Sequence, residues 1–410
     1  MSEAERFRVY WVLARTDLYF LLRYVLSTSK AKKEDGSPLV EHDWILARCR
    51  DVQAGSNETL DIWARYHFKS TIKTYAEVIR QLLVNPDKTF GILSHTRPIA
   101  KAFLRQIKQE FESNELLKAL SYHPPLGAQS IWENTRQAPK WSEDEGLVLR
   151  RVSNPKEASI EAWGLVDSLP ASKHYDVRLY DDVVTEDSVT SPEMVEKTTR
   201  AWELSLNLGK PGGLEWYCGT FYGHGDTYNA IADRGYKLRL HPCYEIDLEK
   251  TEFDKRTGRA VKLAWHLDKP VLYDLAHLQR EAQKMGPRTF GIQMLCDVSA
   301  GLHFGFRRKD LRLYDKEPWQ ERHGKPRVIL VDPANEKRKE SAYTAMWVVG
   351  LGADGNYYIL DAVRDKLNLT ERADALFRLH QRWKPIDVRY ERYGLQADVQ
   401  HMQYLQEQRG

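Results

Sequence analysis

The segment Arg65-Tyr66-His67-Phe68-Lys69-Ser70-Thr71 places a lysine directly before two hydroxyl residues. Lys69 in such a loop can neutralise the β- and γ-phosphates of a nucleotide, and Ser70 can ligate magnesium. The backbone N–H groups of a loop entering a helix can wrap the phosphate oxygens. Far downstream, the apolar run Val177-Arg178-Leu179-Tyr180 ends on Asp181-Asp182. One carboxylate of that pair can hold magnesium, directly or through water, while its neighbour orients the attacking water. Together the two segments read as halves of a nucleoside-triphosphatase site whose ligands are ATP and Mg2+. Each alone has a plainer reading, as a basic turn before a helix and as a turn-capping pair of aspartates. The usual phosphate-loop spacing, GxxxxGK[ST], is also broken, because Trp63 and Phe68 occupy its two glycine positions.

The elements that must position these groups follow from hydrophobic period and turn residues. Helices are predicted over 5–29 and 40–54, separated by a polar loop carrying Lys30, Lys32 and Lys33. A strand over 59–64, the Arg65–Thr71 loop and a helix over 72–83 give the order a phosphate loop requires. The next strand, 88–94, leads to a helix over 99–111. Its basic face of Lys101, Arg105 and Lys108 is either a solvated surface or one that meets DNA. Residues 124–145 are turn-rich, with Trp132 and Trp141 as anchors. A strand over 175–180 ends on the two aspartates, a helix covers 192–206, and a strand over 214–218 stops at Gly219-Thr220. Strands alternating with helices argue for a parallel α/β sheet with ligands at the C-terminal ends of its strands.

From about 236 to 305 the pattern is less legible, apart from an amphipathic helix over 272–284. Residues 306–326 are charge-dense, with Pro318, Gly324 and Pro326, and read as an interdomain linker. A second domain begins at 327. Strands over 328–331, 344–350 and 357–362 precede a helix over 370–383 and a fourth strand over 387–390. Asp332, Asp361 and Glu391 lie at strand ends.

Composition bounds these readings. With 410 residues the chain is long enough for two or three domains, and 42% hydrophobic against 29% charged residues is ordinary for a globular protein, which argues against disorder. A net charge of +3 excludes a bulk polycation, so nucleic-acid contact must come from local basic surfaces. Cys49, Cys218, Cys243 and Cys296 form no CxxC pair, which argues against a zinc site or a disulfide framework and fits a reducing cytoplasm. Residues 10–26 are apolar but interrupted by Arg15, Asp17 and Arg23, too charged for a signal peptide or a membrane span.

Arg65 four residues before Lys69, the Ser70-Thr71 pair, His174-Tyr175-Asp176 leading into Asp181-Asp182-Val183-Val184-Thr185, and Gly219-Thr220 ahead of Asp226-Thr227-Tyr228 carry a resemblance. In these features the chain resembles the large terminase subunit of tailed bacteriophages over nearly all of its length. That family commonly carries an arginine at the position of Arg65 and tolerates deviant phosphate loops. The resemblance implies a P-loop ATPase motor domain over 1–305, with a linker subdomain from about 236, the linker 306–326, and an RNase H-like nuclease domain over 327–410. It makes Arg65, Lys69, Ser70 and Thr71 the ATP-binding residues and Asp181 the magnesium-side acid. Asp182 becomes the catalytic carboxylate, one methylene shorter than the glutamate often found there, and Gly219-Thr220 the coupling motif.

In an RNase H-like fold the first and fourth strands are neighbours, so Asp332 and Glu391 meet at one edge. There two ions, Mg2+ or Mn2+, activate water and stabilise the leaving oxygen of a phosphodiester. Asp361 is an additional candidate ligand or a solvated strand-end aspartate. The family completes this site with a third acid on a later helix beyond a fifth strand. The sequence ends at Gly410 before either, and Glu407, on the helix directly after the fourth strand, is badly placed to substitute. The expectation is therefore a nuclease domain lacking its last portion. Either the chain is a fragment, favoured because an open edge strand is costly, or it is a motor with an impaired nuclease.

The implied function is ATP-driven packaging of double-stranded DNA into a procapsid with endonuclease cleavage. The implied partners are the portal protein and a small terminase subunit, with a homo-oligomeric ring on the portal and no membrane. The location is the host cytoplasm and, transiently, the portal. The alternatives are a helicase-like DNA translocase, which leaves Asp332 and Glu391 without a role, and a non-catalytic degenerate prophage remnant that holds DNA or the portal.

Overall fold

The computed structural model describes residues 2–27, 36–55, 57–123, 129–130, 140–223, 225–253, 260–299, 312–314, 326–334, 343–352, 354–391 and 396–409. Lys30, Lys32, Lys33, Trp132 and most of the 306–326 linker lie outside them. The chain divides into two units, Met1–Phe306 and Arg307–Gly410.

Among the described residues of the first unit six strands run parallel: β1 (Thr59–Trp63), β2 (Phe90–Ser94), β3 (Ile160–Gly164), β4 (Tyr175–Asp181), β5 (Gly209–Gly219) and β6 (Lys237–His241). Their order across the sheet is β6-β1-β5-β4-β2-β3, and a hairpin of Trp141–Ser142 and Gly146–Leu147 extends it antiparallel beside β3. β1 and β2 are five residues each and buried throughout, because both faces of the sheet are covered there. On one face Trp63, Ile92, Val177 and Leu179 pack against α1 (Glu3–Thr16), α2 (Asp43–Gln53), α3 (Glu77–Val84) and α4 (Arg97–Ser113). On the other, Leu60, Ile62, Leu93, Tyr180 and Tyr217 meet Trp202 of α5 (Pro192–Ser205) and Tyr228 and Ile231 of α6 (Thr227–Asp233).

Several elements differ from the sequence expectation. The predicted helix over 5–29 breaks at Asp17, whose carboxylate caps the next turn by accepting from the Phe20 N–H at 3.0 Å. β3 and β6 were not anticipated, because each carries a charge in mid-strand. In β3 the buried Glu161 carboxylate takes the Tyr175 hydroxyl at 2.6 Å and Lys173 at 2.9 Å. In β6 Arg239 donates to Asp61 of β1 at 2.6 and 2.8 Å. The helix predicted over 272–284 becomes α7 (Leu275–Gln293), kinked at Gly286 with φ +73° ahead of Pro287. No helix among the described residues is long and apolar enough to cross a membrane.

The described residues of the second unit form a four-stranded mixed sheet of β7 (Arg327–Asp332), β8 (Thr344–Leu351), β9 (Tyr357–Asp365) and β10 (Asp387–Tyr390), ordered β9-β8-β7-β10. β7 runs antiparallel to β8 and parallel to β10. Ile329, Val331, Met346 and Val348 face Ala375, Leu376, Leu379 and Trp383 of α8 (Leu369–Trp383). A further helix, α9 (Gln396–Arg409), follows β10.

Candidate active site

The loop leaving β1 turns without glycine. Tyr66 and Phe68 adopt φ +66° and +62°, and Phe68 does so at a position where the usual pattern has glycine. The left-handed conformation costs a side-chain-bearing residue roughly 1–2 kcal/mol, so the surroundings must hold it. His67 is the wedge. Its ring is buried edge-on against Trp44 and Tyr273, with centroids 5.4 and 5.3 Å away, and its Nδ1 lies 2.8 Å from the Arg65 carbonyl. A carbonyl only accepts, so Nδ1 carries the proton. Burial holds the His67 pKa down to about 4, and the ring is neutral at pH 7. The Tyr273 hydroxyl donates to the Tyr66 carbonyl at 2.9 Å, and the Phe68 ring packs on the core. The Arg65 guanidinium donates to Gln293 Oε1 at 3.0 Å and reaches the Tyr222 hydroxyl at 3.4 Å, so in this structure Arg65 anchors the loop to the end of α7.

Past the loop the chain enters a π-helical turn, Thr71–Ala76, that runs into α3. Thr71 opens this turn beside Ser70. Lys69 Nζ donates to Asp182 Oδ2 at 2.8 Å, and Ser70 Oγ donates to Asp181 Oδ1 at 3.0 Å. The Thr74 hydroxyl bonds the other Asp181 oxygen. Thr74 was overlooked in the sequence reading, although a residue four beyond Ser70 shares its helical face. Burial, followed by the charge of Asp182, pushes the Asp181 pKa up to about 6, against the pull of Lys69, Thr74 and Ser70. Burial alone would lower the Lys69 pKa, but the Asp182 and Asp181 carboxylates outweigh it and leave it above the ordinary lysine value. Asp182 itself has φ +69°. Its Oδ2 holds Lys69, while its Oδ1 is buried without a hydrogen-bond partner among the described residues.

Gly219-Thr220 ends β5, the strand lying between β1 and β4. The Thr220 hydroxyl reaches the Trp63 carbonyl at 3.4 Å, next to the loop. Gly219 is not in the left-handed region. A Cβ there would stand 2.0 Å from the Tyr228 hydroxyl, so the glycine serves close approach rather than a turn.

In the second unit Val331 and Tyr390 pair in register and the Glu391 N–H donates to the Val331 carbonyl at 2.9 Å, which sets Asp332 and Glu391 side by side. Ile329 and Val331 point toward α8, so Leu330 and Asp332 point to the other face. There Leu330, Trp347, Arg389 and the two acids line a cleft of about 300 Å³. Asp361 is not brought to them. It pairs with Val348 on the α8 face, and its carboxylate accepts from Trp383 Nε1 at 2.8 Å and Arg382 at 3.2 Å. Strand geometry puts it roughly 14 Å from Asp332. Among the described residues no group of three or more His, Cys, Asp or Glu is arranged to hold a metal ion.

The basic face of α4 is internally neutralised. Lys101 pairs with Asp144, Arg105 grips Glu143 through two bonds of 2.9 and 2.7 Å, and Lys108 lies 3.9 Å from Glu112. These charges are engaged within the protein, which favours the solvated-surface reading over a DNA-facing one.

The fold and the meeting of Lys69, Ser70, Asp181 and Asp182 define a parallel α/β unit with a candidate phosphate-binding loop, followed by a mixed-sheet unit with two adjoining acids. No family model and no curated protein matches the chain. Among solved structures it is similar to the large terminase of bacteriophage HK97, with 11% identity over 94% of this chain and 83% of that one, and a TM-score of 0.40. It is also similar to the large terminase of a thermophilic bacteriophage, with 12% identity over 87% of this chain and 76% of that one, and a TM-score of 0.33. The same thermophilic phage terminase in complex with ADP matches at 12% identity over 88% and 80% of the two chains, again with a TM-score of 0.33.

Proposed function

We propose that the first unit hydrolyses ATP and that the chain acts as a DNA-packaging motor of the large-terminase type. The observation that carries this reading is the convergence, across more than a hundred residues of sequence, of Lys69 and Ser70 on Asp182 and Asp181 at the C-terminal ends of parallel strands. The donor set suits Mg2+ and a triphosphate: a lysine, a hydroxyl 3.0 Å from a carboxylate oxygen, and a second carboxylate whose buried Oδ1 lacks a partner. Ser70 and Asp181 would hold the ion, and Lys69 the phosphate oxygens. Bound Mg2+ would supply charge neutralisation at the transferred phosphoryl group. Phosphate arrival gives Lys69 a new anionic partner and releases Asp182, which then orients the attacking water and accepts its proton. His67, neutral and wedged, keeps the glycine-free loop in its path.

Asp181→Asn tests this assignment. The Asp181 pKa is raised from 3.8 to about 6, so the folded state binds this proton more tightly than the unfolded one. Its stability contribution is fully present below about pH 4 and lost as pH rises through about 6. At pH 7.5 the ionised carboxylate is held at a cost that asparagine lacks. The variant should lose ATP turnover by at least about a hundredfold with a melting temperature no lower than wild type. Undiminished phosphate release from the folded variant would sink the assignment.

For the second unit the proposal is metal-dependent endonuclease cleavage of DNA, supported by Asp332 and Glu391 sharing one face and one edge with Arg389 beside them. Mg2+ or Mn2+ held by the two acids would activate water. Asp332→Asn should abolish Mn2+-dependent nicking of plasmid DNA and spare ATP turnover. Equal nicking by wild type and variant would argue that the acids have no such role. The same reading supplies the partners: double-stranded DNA gripped through its phosphates, with salt-sensitive affinity, a portal protein, a small terminase subunit, and further copies of this chain in a ring on the portal, reached from the host cytoplasm.

A further inference from the structure

Asp182 holds a left-handed backbone, φ +69°, directly after a buried strand. Such a conformation persists only where its flanks are over-determined, and four hydrogen bonds fix them. The Asp182 N–H donates to the Cys218 carbonyl at 3.1 Å, and the Asp182 carbonyl accepts from the His95 N–H at 3.3 Å. His95 Nδ1 lies 3.2 Å from the Val183 carbonyl, and the Val183 N–H donates to the Tyr228 hydroxyl at 3.1 Å. Three of these bonds come from strand ends or the loop after β2. The fourth is the only one of the set made by a side chain from beyond β5.

Tyr228 is fully buried in the first turn of α6, where the buried Asp226 cap accepts from the Tyr228 N–H at 3.0 Å and the Tyr222 N–H at 3.4 Å. Its hydroxyl fits only because residue 219 has no side chain, since a Cβ there would lie 2.0 Å from the hydroxyl oxygen and 2.3 Å from the ring carbon bearing it. The tyrosine hydroxyl therefore touches the end of β5 and the peptide following Asp182 at once. A tyrosine serving only as packing would leave its hydroxyl on water or on a distant group. This one is spent on the backbone next to the acid.

We infer that Tyr228 is the positioning residue that sets Asp182 for water activation and ties it mechanically to Gly219-Thr220, an inference that rests on the triphosphatase reading above. A shift of the β5 end pushes on the hydroxyl, and the hydroxyl holds the Asp182-Val183 peptide, so a change at one reaches the other through this side chain as well as through the Asp182 N–H bond to the Cys218 carbonyl. Tyr228 does not touch substrate and acts through Asp182.

The test is steady-state ATP hydrolysis by the full chain, with ADP affinity measured by titration. Tyr228→Phe keeps the ring and removes the hydroxyl. It should lower kcat about tenfold, the scale of one lost orienting hydrogen bond, with KM for ATP and Kd for ADP within about twofold. A merely structural role would instead move Tm, KM and Kd together. Gly219→Ala retains the hydroxyl but displaces it, and should show the same split between kcat and KM. Unchanged kcat in either folded variant overturns the inference while leaving the triphosphatase reading intact. A wild type with no turnover above the Lys69→Ala background overturns both.

Discussion

Lys69→Ala is expected to lower ATP turnover by about three orders of magnitude, the scale seen when a principal charge partner of a transferring phosphoryl group is lost. Lys69 is the cation that the structure places against both site acids, at 2.8 Å from Asp182 with Asp181 adjoining. Removing it leaves two neighbouring carboxylates, one of them fully buried, with no lysine to balance them. Asp181 is already pushed up to about 6, first by burial and then by Asp182. Without the counter-pull of Lys69 it rises further, and the pair retains a proton near neutral pH. On the proposed reading the variant loses its phosphate ligand and also discharges the acid proposed to hold magnesium. Phosphate release and ADP titration measure the two consequences separately, and turnover within tenfold of wild type would exclude Lys69 from the site. Arginine is a poor replacement, because its planar fork does not fit a point-charge position at the head of a helix.

Asp61→Ala is expected to cost about 3–5 kcal/mol of stability, because it strands buried cations. Asp61 sits fully buried in the middle of β1, where its carboxylate takes Lys73 and, at 2.6 and 2.8 Å, Arg239. Among the described residues Lys73 keeps the Tyr217 carbonyl, at 2.8 Å, once the aspartate is gone. Burial pushes the Asp61 pKa up, but Lys73 and Arg239 outweigh it and the net shift is downward. Its contribution is therefore present above the unfolded value, near pH 4, and is lost as pH falls through the lower folded value. Denaturant melts at pH 7 and pH 3 should show a wild-type to variant gap that narrows in acid. A gap that is the same at both pH values, or absent, would remove Asp61 from this role. The consequence reaches the site, since Lys73 lies on the turn that follows Lys69 and Ser70. The Asp61–Lys73 pair staples that turn to β1, so the variant should also bind nucleotide more weakly.

Much of this arrangement could be read before any coordinates. A lysine ahead of two hydroxyls and an apolar run ending in Asp181-Asp182 are local patterns, and local patterns survive in one dimension. The strands carrying Asp332 and Glu391 could be read in the same way, but their being neighbours rested on the resemblance to an RNase H-like fold. The misses share one cause. β3 and β6 carry Glu161 and Arg239, charges that read as exposure, and only the Tyr175 hydroxyl, Lys173 and Asp61 make their burial tolerable. The α4 basic face, read as either solvated or DNA-facing, pairs with Glu143 and Asp144 of a hairpin some forty residues away, a pairing no local pattern shows. Asp361, left open as an additional ligand or a solvated strand-end aspartate, is turned toward Trp383 by strand register.

The sequence by itself determined which residues are candidates for chemistry, because residue type, spacing and hydrophobic period set that locally. Tertiary structure alone decided how it is held in place. Phe68 makes a glycine turn because His67 is wedged between Trp44 and Tyr273, and Gly219 is a glycine because the Tyr228 hydroxyl needs its space. Those reasons are contacts between residues far apart in the chain, and the free energy of such contacts depends on packing and burial, which no single segment contains.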